Sequence, residues 1–216
     1  MNFIIIFFGW IFSLCLHEFS HALVAYHGGD TTVREKGYLT FNPLKYTHPV
    51  LSLLLPVIIM LMGGIGLPGG AVYIERWRIR SRYWLSAMSL AGPMANVLVA
   101  IVIVLLLQFL PDSTSKVWPG LSFLFVLQVW AIFFNLIPLP GLDGYGVIEP
   151  FLNPAIQMQM ERIRPYAIWV LILAVWYLPF FNDFLWTGIY ILSAILGVNW
   201  DMVVQGQDFL LNFFGR

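Results

Sequence analysis

Charge is scarce in this sequence. Only 10% of its 216 residues are Asp, Glu, Lys or Arg, while 60% are hydrophobic; an ordinary soluble domain carries about 25% charged residues. So few charges cannot clothe a water-soluble globule, and the composition is that of a polytopic membrane protein. The formal net charge is zero, which gives no sign of nucleic acid or a polyanionic partner. A single cysteine, Cys15, excludes an intrachain disulfide and leaves the redox compartment open. Internal repeats and low-complexity linkers are also missing, and the length leaves no room for a large soluble unit beside several spans. Residues 1–216 are therefore expected to form a single membrane-embedded domain. No Lys or Arg precedes the first apolar run, MNFIIIFF, and no small-residue cleavage pattern follows it. Residues 3–26 read as a retained span rather than a cleaved leader, long enough for a bilayer core of about 30 Å.

The rest of the chain reads as an all-α fold of about five transmembrane helices with one irregular insertion. After the first span, HGGDTTVREKGYLTFNPLKYTH (27–48) carries Arg34, Lys36 and Lys45, which place it on the cytoplasmic side by the positive-inside rule. The apolar run 50–62 is short for a crossing. GGIGLPGG (63–70) turns the chain, and AVYIE (71–75) has strand character. Arg76, Arg78, Arg80 and Arg82 then mark the cytoplasmic side again. Residues 50–75 must in that case enter and leave on one side, as a re-entrant helix–turn–strand hairpin with a short β element. Non-helical backbone at that depth needs protein or a water-filled cavity beside it, because lipid satisfies no N–H or C=O group. Further spans are expected at about 84–110, 118–137, 166–181 and 184–200. The stretch 138–165 lies between the middle pair and the last pair and holds an interfacial helix that ends at Pro165.

Against this background LHEFSHA (16–22) stands out, because it sets two histidines and a glutamate inside the first span. Ionisable groups at membrane depth are costly and mark function by default. His17 and His21 are four residues apart, so on a helix they lie about 40° apart in azimuth and one turn apart in height, a spacing at which both imidazoles can grip one zinc ion. Glu18 lies about 100° round from His17, awkward as a ligand but placed to take a proton from an attacking water. The alternative is a polar helix contact in which these groups pair with one another or with backbone.

A catalytic zinc site takes three protein ligands and leaves one position open. His27 completes the spacing His-Glu-x-x-His-x-x-Gly-x-x-His except that Val24 stands at the glycine. The helix then continues and carries His27 about 240° from His21. His48 reads as an interfacial histidine and Glu35 as a solvated one. That leaves Asp143 in NLIPLPGLDG (135–144), where Pro138 and Pro140 break the end of a span and can turn a carboxylate back into the bundle. Heights agree: counted from Phe3, His17 lies about 21 Å along its helix and roughly 9 Å inside the cytoplasmic edge, where the Asp143 turn also belongs.

HEFSH in the first span, AGPMAN (91–96) in a middle one and NLIPLPGLDG after a later one together resemble the site-2 protease family of intramembrane zinc metalloproteases. FNPLKYTHP (41–49) and the arginine-rich segment look like its compact bacterial members, without PDZ-like or CBS-like insertions. The resemblance covers about residues 3–165, leaving a C-terminal helix pair at about 166–200. It implies His17, His21 and Asp143 as zinc ligands and Glu18 as catalytic base. Gly92 and Asn96 match the middle-span element, and Asn135 the asparagine of the last motif. Asn96 and Asn135 either steady a substrate carbonyl or oxyanion, or bridge helices. Gly92 and Pro93 belong either to the site or to close helix packing. The expected activity is an endopeptidase acting on transmembrane segments of other proteins, often remnants of an earlier cut outside the membrane, in the cytoplasmic membrane of a bacterium. The competing expectation is a transporter that passes protons or metal ions along the same buried cluster.

Overall fold

A computed structural model describes residues 1–45, 72–109 and 116–213 of the chain. Among these residues the elements are α1 (Asn2–Gly28), α2 (Thr32–Glu35), α3 (Arg82–Phe109), α4 (Trp118–Asn135), α5 (Asp143–Ile148), α6 (Pro154–Tyr177), α7 (Pro179–Ile195) and α8 (Trp200–Phe213). Short 3-10 turns occupy Pro43–Lys45, Arg76–Arg78 and Glu149–Phe151.

Three of these helices, α1, α3 and α4, are long and apolar enough to cross a membrane. They pack on one another, with α4 innermost: 72% of its most apolar window is buried, against 33% for α1. The core gathers Ile6 and Trp10 of α1, Ile103 and Leu107 of α3, and Phe125, Val126, Trp130 and Phe134 of α4. The outer faces of α1 and α3 are as apolar as the core. Ile4, Phe8 and Phe12 form one exposed stripe, and Leu98, Val102, Leu105 and Phe109 another. In water such a surface would aggregate; in a bilayer it is the surface that lipid covers.

The helix count departs from the sequence reading in physical ways. The interfacial helix expected to stop at Pro165 does not stop: α6 runs unbroken from Pro154 to Tyr177, with Pro165 inside it. One missing N–H removes one ladder bond, and the other turns of a 24-residue helix hold across the gap. Glu161, Arg162 and Arg164 charge its first half, so its length alone does not make it a span. PFFND opens α7 instead of separating two spans, because Pro179 sits in the first turn, where its absent N–H costs nothing. The chain also continues into α8, which the sequence reading lacked. It lies along α4 and buries Val203 and Leu210. The apolar run 50–62 and the turn 63–70 lie outside the described residues. Of the strand expected at 71–75, Val72–Glu75 forms neither strand nor helix, Arg76 N–H turns back onto Ile74 C=O, and among the described residues no strand forms. Its polar groups bond with side chains: Glu18 accepts from Val72 N–H, Asp30 accepts from Glu75 N–H, and Lys36 Nζ lies 3.4 Å from Tyr73 C=O.

Phe125 of α4 is fully enclosed in the apolar core. Phe125→Ala is expected to cost about 3–5 kcal/mol, read as a lowered unfolding midpoint of the purified protein in detergent.

Candidate metal centre

The centre begins with α1, whose sequence carries no proline or internal break through His21 and whose end is set at Gly28 and Gly29. His17, Glu18 and His21 are all buried. His17 Nδ1 lies 2.8 Å from Asn96 Oδ1, and His21 Nδ1 lies 2.7 Å from the carbonyl of Met88. Both partners are acceptors, so each ring carries its proton on Nδ1 and turns a bare Nε2 lone pair inward. The two Nε2 atoms stand 3.0 Å apart. Asp143 Oδ2 lies 3.2 Å from His17 Nε2, and Asp143 Oδ1 3.3 Å from His21 Nε2.

Three electron-rich groups therefore converge with no hydrogen left between them, a cluster that repels itself unless a cation stands at its centre. The ligand atoms of His17, His21 and Asp143 lie within 4.8 Å of one another. Asp143 Oδ2 is buried with no conventional hydrogen-bond donor. Two imidazoles and one carboxylate suit zinc, leaving a fourth position open.

Glycine makes room for the cluster. A Cβ on Gly92 would come 2.5 Å from His17 Nε2 and closer still to His21 Nε2, so any side chain there would fill the space the donors face. Gly144 acts on the other wall: its Cβ would collide with Leu136 O and reach Ile137 O at 2.7 Å. The Asp-Gly pair is thus no simple turn. Gly144 seats the first turn of α5 against the broken end of α4, and that contact aims Asp143 at α1. Met88 supplies its carbonyl beside a defect in α3, because Pro93 has no N–H for the carbonyl of Ser89 one turn back.

The cluster opens on a cavity of about 590 Å³, lined among others by Glu18, Val72, Ile74, Asn135, Tyr145 and Arg76. Glu18 stands outside the ligand trio, and its Oε2 accepts from Val72 N–H at 3.2 Å.

Known proteins agree with this chemistry. The chain is 44% identical over 203 residues to a Mycolicibacterium smegmatis protein named "Putative zinc metalloprotease Rip2", with 89% of this chain and 78% of that protein covered. It is 40% identical over 206 residues to the Mycobacterium tuberculosis protein of the same name, covering 95% and 79%. It is 30% identical over 212 residues to Bacillus subtilis "Putative zinc metalloprotease YwhC", covering 94% and 88%. The chain belongs to the site-2 protease family of zinc metalloproteases. No family model matches it, and neither does any solved structure.

As a zinc metalloprotease of that family it takes Zn²⁺ as its cofactor, and among the described residues the one cluster able to hold a metal is His17, His21 and Asp143. The relatives give the transporter reading no support. His27 lies exposed at the end of α1, which runs unbroken through Val24. Glu35 is exposed on α2, and His48 lies outside the described residues. Asn135 is buried at the end of α4 and lines the cavity. Asn96 stands on the far side of His17 from the ligand cluster, with its carboxamide oxygen on the ring. Sequence reasoning missed the Met88 carbonyl and the Val72 N–H, because backbone groups leave no residue-type signal. Only Pro93 hinted at a disturbed ladder near Met88.

A partner on the far nitrogen of a ligating histidine fixes its tautomer and is worth about 10–100-fold in metal affinity. Asn96→Ala is expected to weaken zinc binding by that factor, measured by chelator competition on the purified protein.

Proposed function

We propose that this chain is an intramembrane zinc endopeptidase that hydrolyses peptide bonds within or near the transmembrane segments of other membrane proteins. The observation that carries the reading is the convergence of His17, His21 and Asp143 beside Glu18, at the wall of a cavity, on a helix long enough to cross a bilayer.

His17, His21 and Asp143 would hold the ion. A zinc ion so held supplies Lewis acidity, acidifying water and polarising a scissile carbonyl. Glu18 takes the proton of the water whose oxygen attacks that carbonyl. When the C–N bond breaks, Glu18 returns the proton to the departing amine nitrogen, so it ends the cycle as a carboxylate. Asn96 orients His17 through its carboxamide oxygen. Asn135, buried and lining the cavity, donates to the substrate carbonyl. A transmembrane substrate hides its carbonyls in its own helical hydrogen bonds, so some residues must unwind before cleavage. The Val72–Glu75 segment at the cavity wall offers backbone against which an unwound stretch can lie by strand addition. The cavity admits the water that lipid would exclude.

Arg76, Arg78, Arg80 and Arg82 gather at the cavity end of α3, which supports a cytoplasmic placement of the centre in a bacterial cytoplasmic membrane. With α6 and α7 as further spans the count reaches five, and residues 1–216 work as one catalytic domain.

Glu18→Gln is expected to keep one zinc per chain and lose about 10²–10⁴-fold in turnover, read by metal analysis and by cleavage of a detergent-solubilised single-span substrate. Asp143→Ala should lose the zinc itself. Full turnover by Glu18→Gln protein would refute the base assignment.

A further inference from the structure

One buried acid is left over by this chemistry. Asp30 has no exposed surface, follows α1 by two residues and reaches no ligand of the metal cluster. Its carboxylate accepts three hydrogen bonds. Oδ1 takes the backbone N–H of Thr32 at 3.1 Å and its hydroxyl at 2.6 Å, and Oδ2 takes the backbone N–H of Glu75 at 2.7 Å. Such burial of a carboxylate is tolerated only because each of its oxygens is satisfied.

The Glu75 contact joins two parts of the chain that are distant in sequence. At the opposite end of the same four-residue segment, Val72 N–H donates to Glu18. Two carboxylates from α1 and its immediate extension therefore hold the two ends of Val72–Glu75, a four-residue segment that is neither helix nor strand. Val72 and Ile74 also pack on the small apolar cluster around Ala22, Ala25 and Val33. Only three residues separate the two contacts, a span of at most about 3.3–3.6 Å each, so a shift at Glu75 has little chain in which to be absorbed before it reaches Val72.

We propose that Asp30 is a positioning residue for the reaction: by anchoring Glu75 N–H it sets the height of the Val72–Glu75 segment, and so places the Val72 N–H on the Glu18 carboxylate beside the metal cluster. Asp30 touches neither substrate nor metal and acts through the segment. The assignment rests on Glu18 being the base, and its test is separable from that one.

Wild-type, Glu18→Gln and Asp30→Asn proteins, full length and zinc-loaded in detergent, are compared for zinc content, thermal midpoint, kcat and KM on the same single-span substrate. An amide at residue 30 cannot accept on both sides, so one of its contacts becomes donor against donor. Asp30→Asn should retain one zinc per chain and lose kcat about ten-fold or more, the worth of one hydrogen bond to a charged group. Thr32→Val removes a hydroxyl from the same carboxylate without touching the segment and should stay within about two-fold in kcat. Glu75→Pro deletes the anchored N–H at a residue whose φ of −84° suits proline. Compared with Glu75→Ala, which controls for the lost carboxylate, it should reproduce the Asp30→Asn defect, and the two changes together should be no worse than either alone. That pair keeps the proposal testable should Asp30→Asn fail to fold. Unchanged kcat in Asp30→Asn, an equal kcat defect in Thr32→Val, or multiplying defects in the double variant would each overturn the proposal. Glu18→Gln activity judges the base assignment separately.

Discussion

An imidazole enclosed by apolar helices must satisfy both of its ring nitrogens, and that requirement organises the middle of this molecule. A partner on Nδ1 fixes the tautomer of each ring and leaves Nε2 free to face a cation. Both His17 and His21 meet the requirement with acceptors from α3, one a carboxamide and one a backbone carbonyl. The consequence is electrostatic. Two lone pairs and a carboxylate are pressed into one small space, and a positive charge becomes part of what makes the arrangement favourable.

The helix that answers α1 does so with one face. Met88, Gly92 and Asn96 follow one another at intervals of four, so they line up along α3. The first gives a carbonyl, the second gives empty space, and the third gives an amide oxygen. α3 therefore works as a backing plate whose register against α1 must be right at three heights at once. α5 closes the remaining side, and the approach allowed by Gly144 decides how near Asp143 comes. Around this polar centre the molecule is apolar on both its inside and its outside, as a protein solvated by lipid must be.

The segment after residue 71 links the metal cluster to the charged end of the bundle. Glu75 is held ionised below the usual carboxylate range by Arg78 and then Lys36, and Arg76 reaches Glu149 at 2.7 Å, just past α5. The same few residues thus touch α1, α2 and the turn behind Asp143. A stretch that lacks a strand partner among the described residues is instead tied down by side chains, and it forms one wall of the cavity beside Glu18.

Much of this was legible in the residues themselves. A low charge content announced the membrane, and the four-residue spacing of His17 and His21 put both rings on one helical face. Both follow from local rules: composition sets the solvent a chain can face, and helical periodicity fixes which neighbours share a side. Pro138 and Pro140 marked the break that brings Asp143 round, helical spacing set Glu18 beside the two histidines, and the family resemblance carried Asn96 along. Pro165 misled, because a proline's local preference is overridden when the turns on either side of it are already helical. What only the tertiary structure decided were contacts between segments far apart in sequence: Asn96 on His17, Met88 O on His21, Val72 N–H on Glu18 and Asp30 on Glu75 N–H. Three of those four use a backbone group, which every residue owns, so no side-chain pattern could have singled them out; only the packing distance between helices and loops selects which one is used.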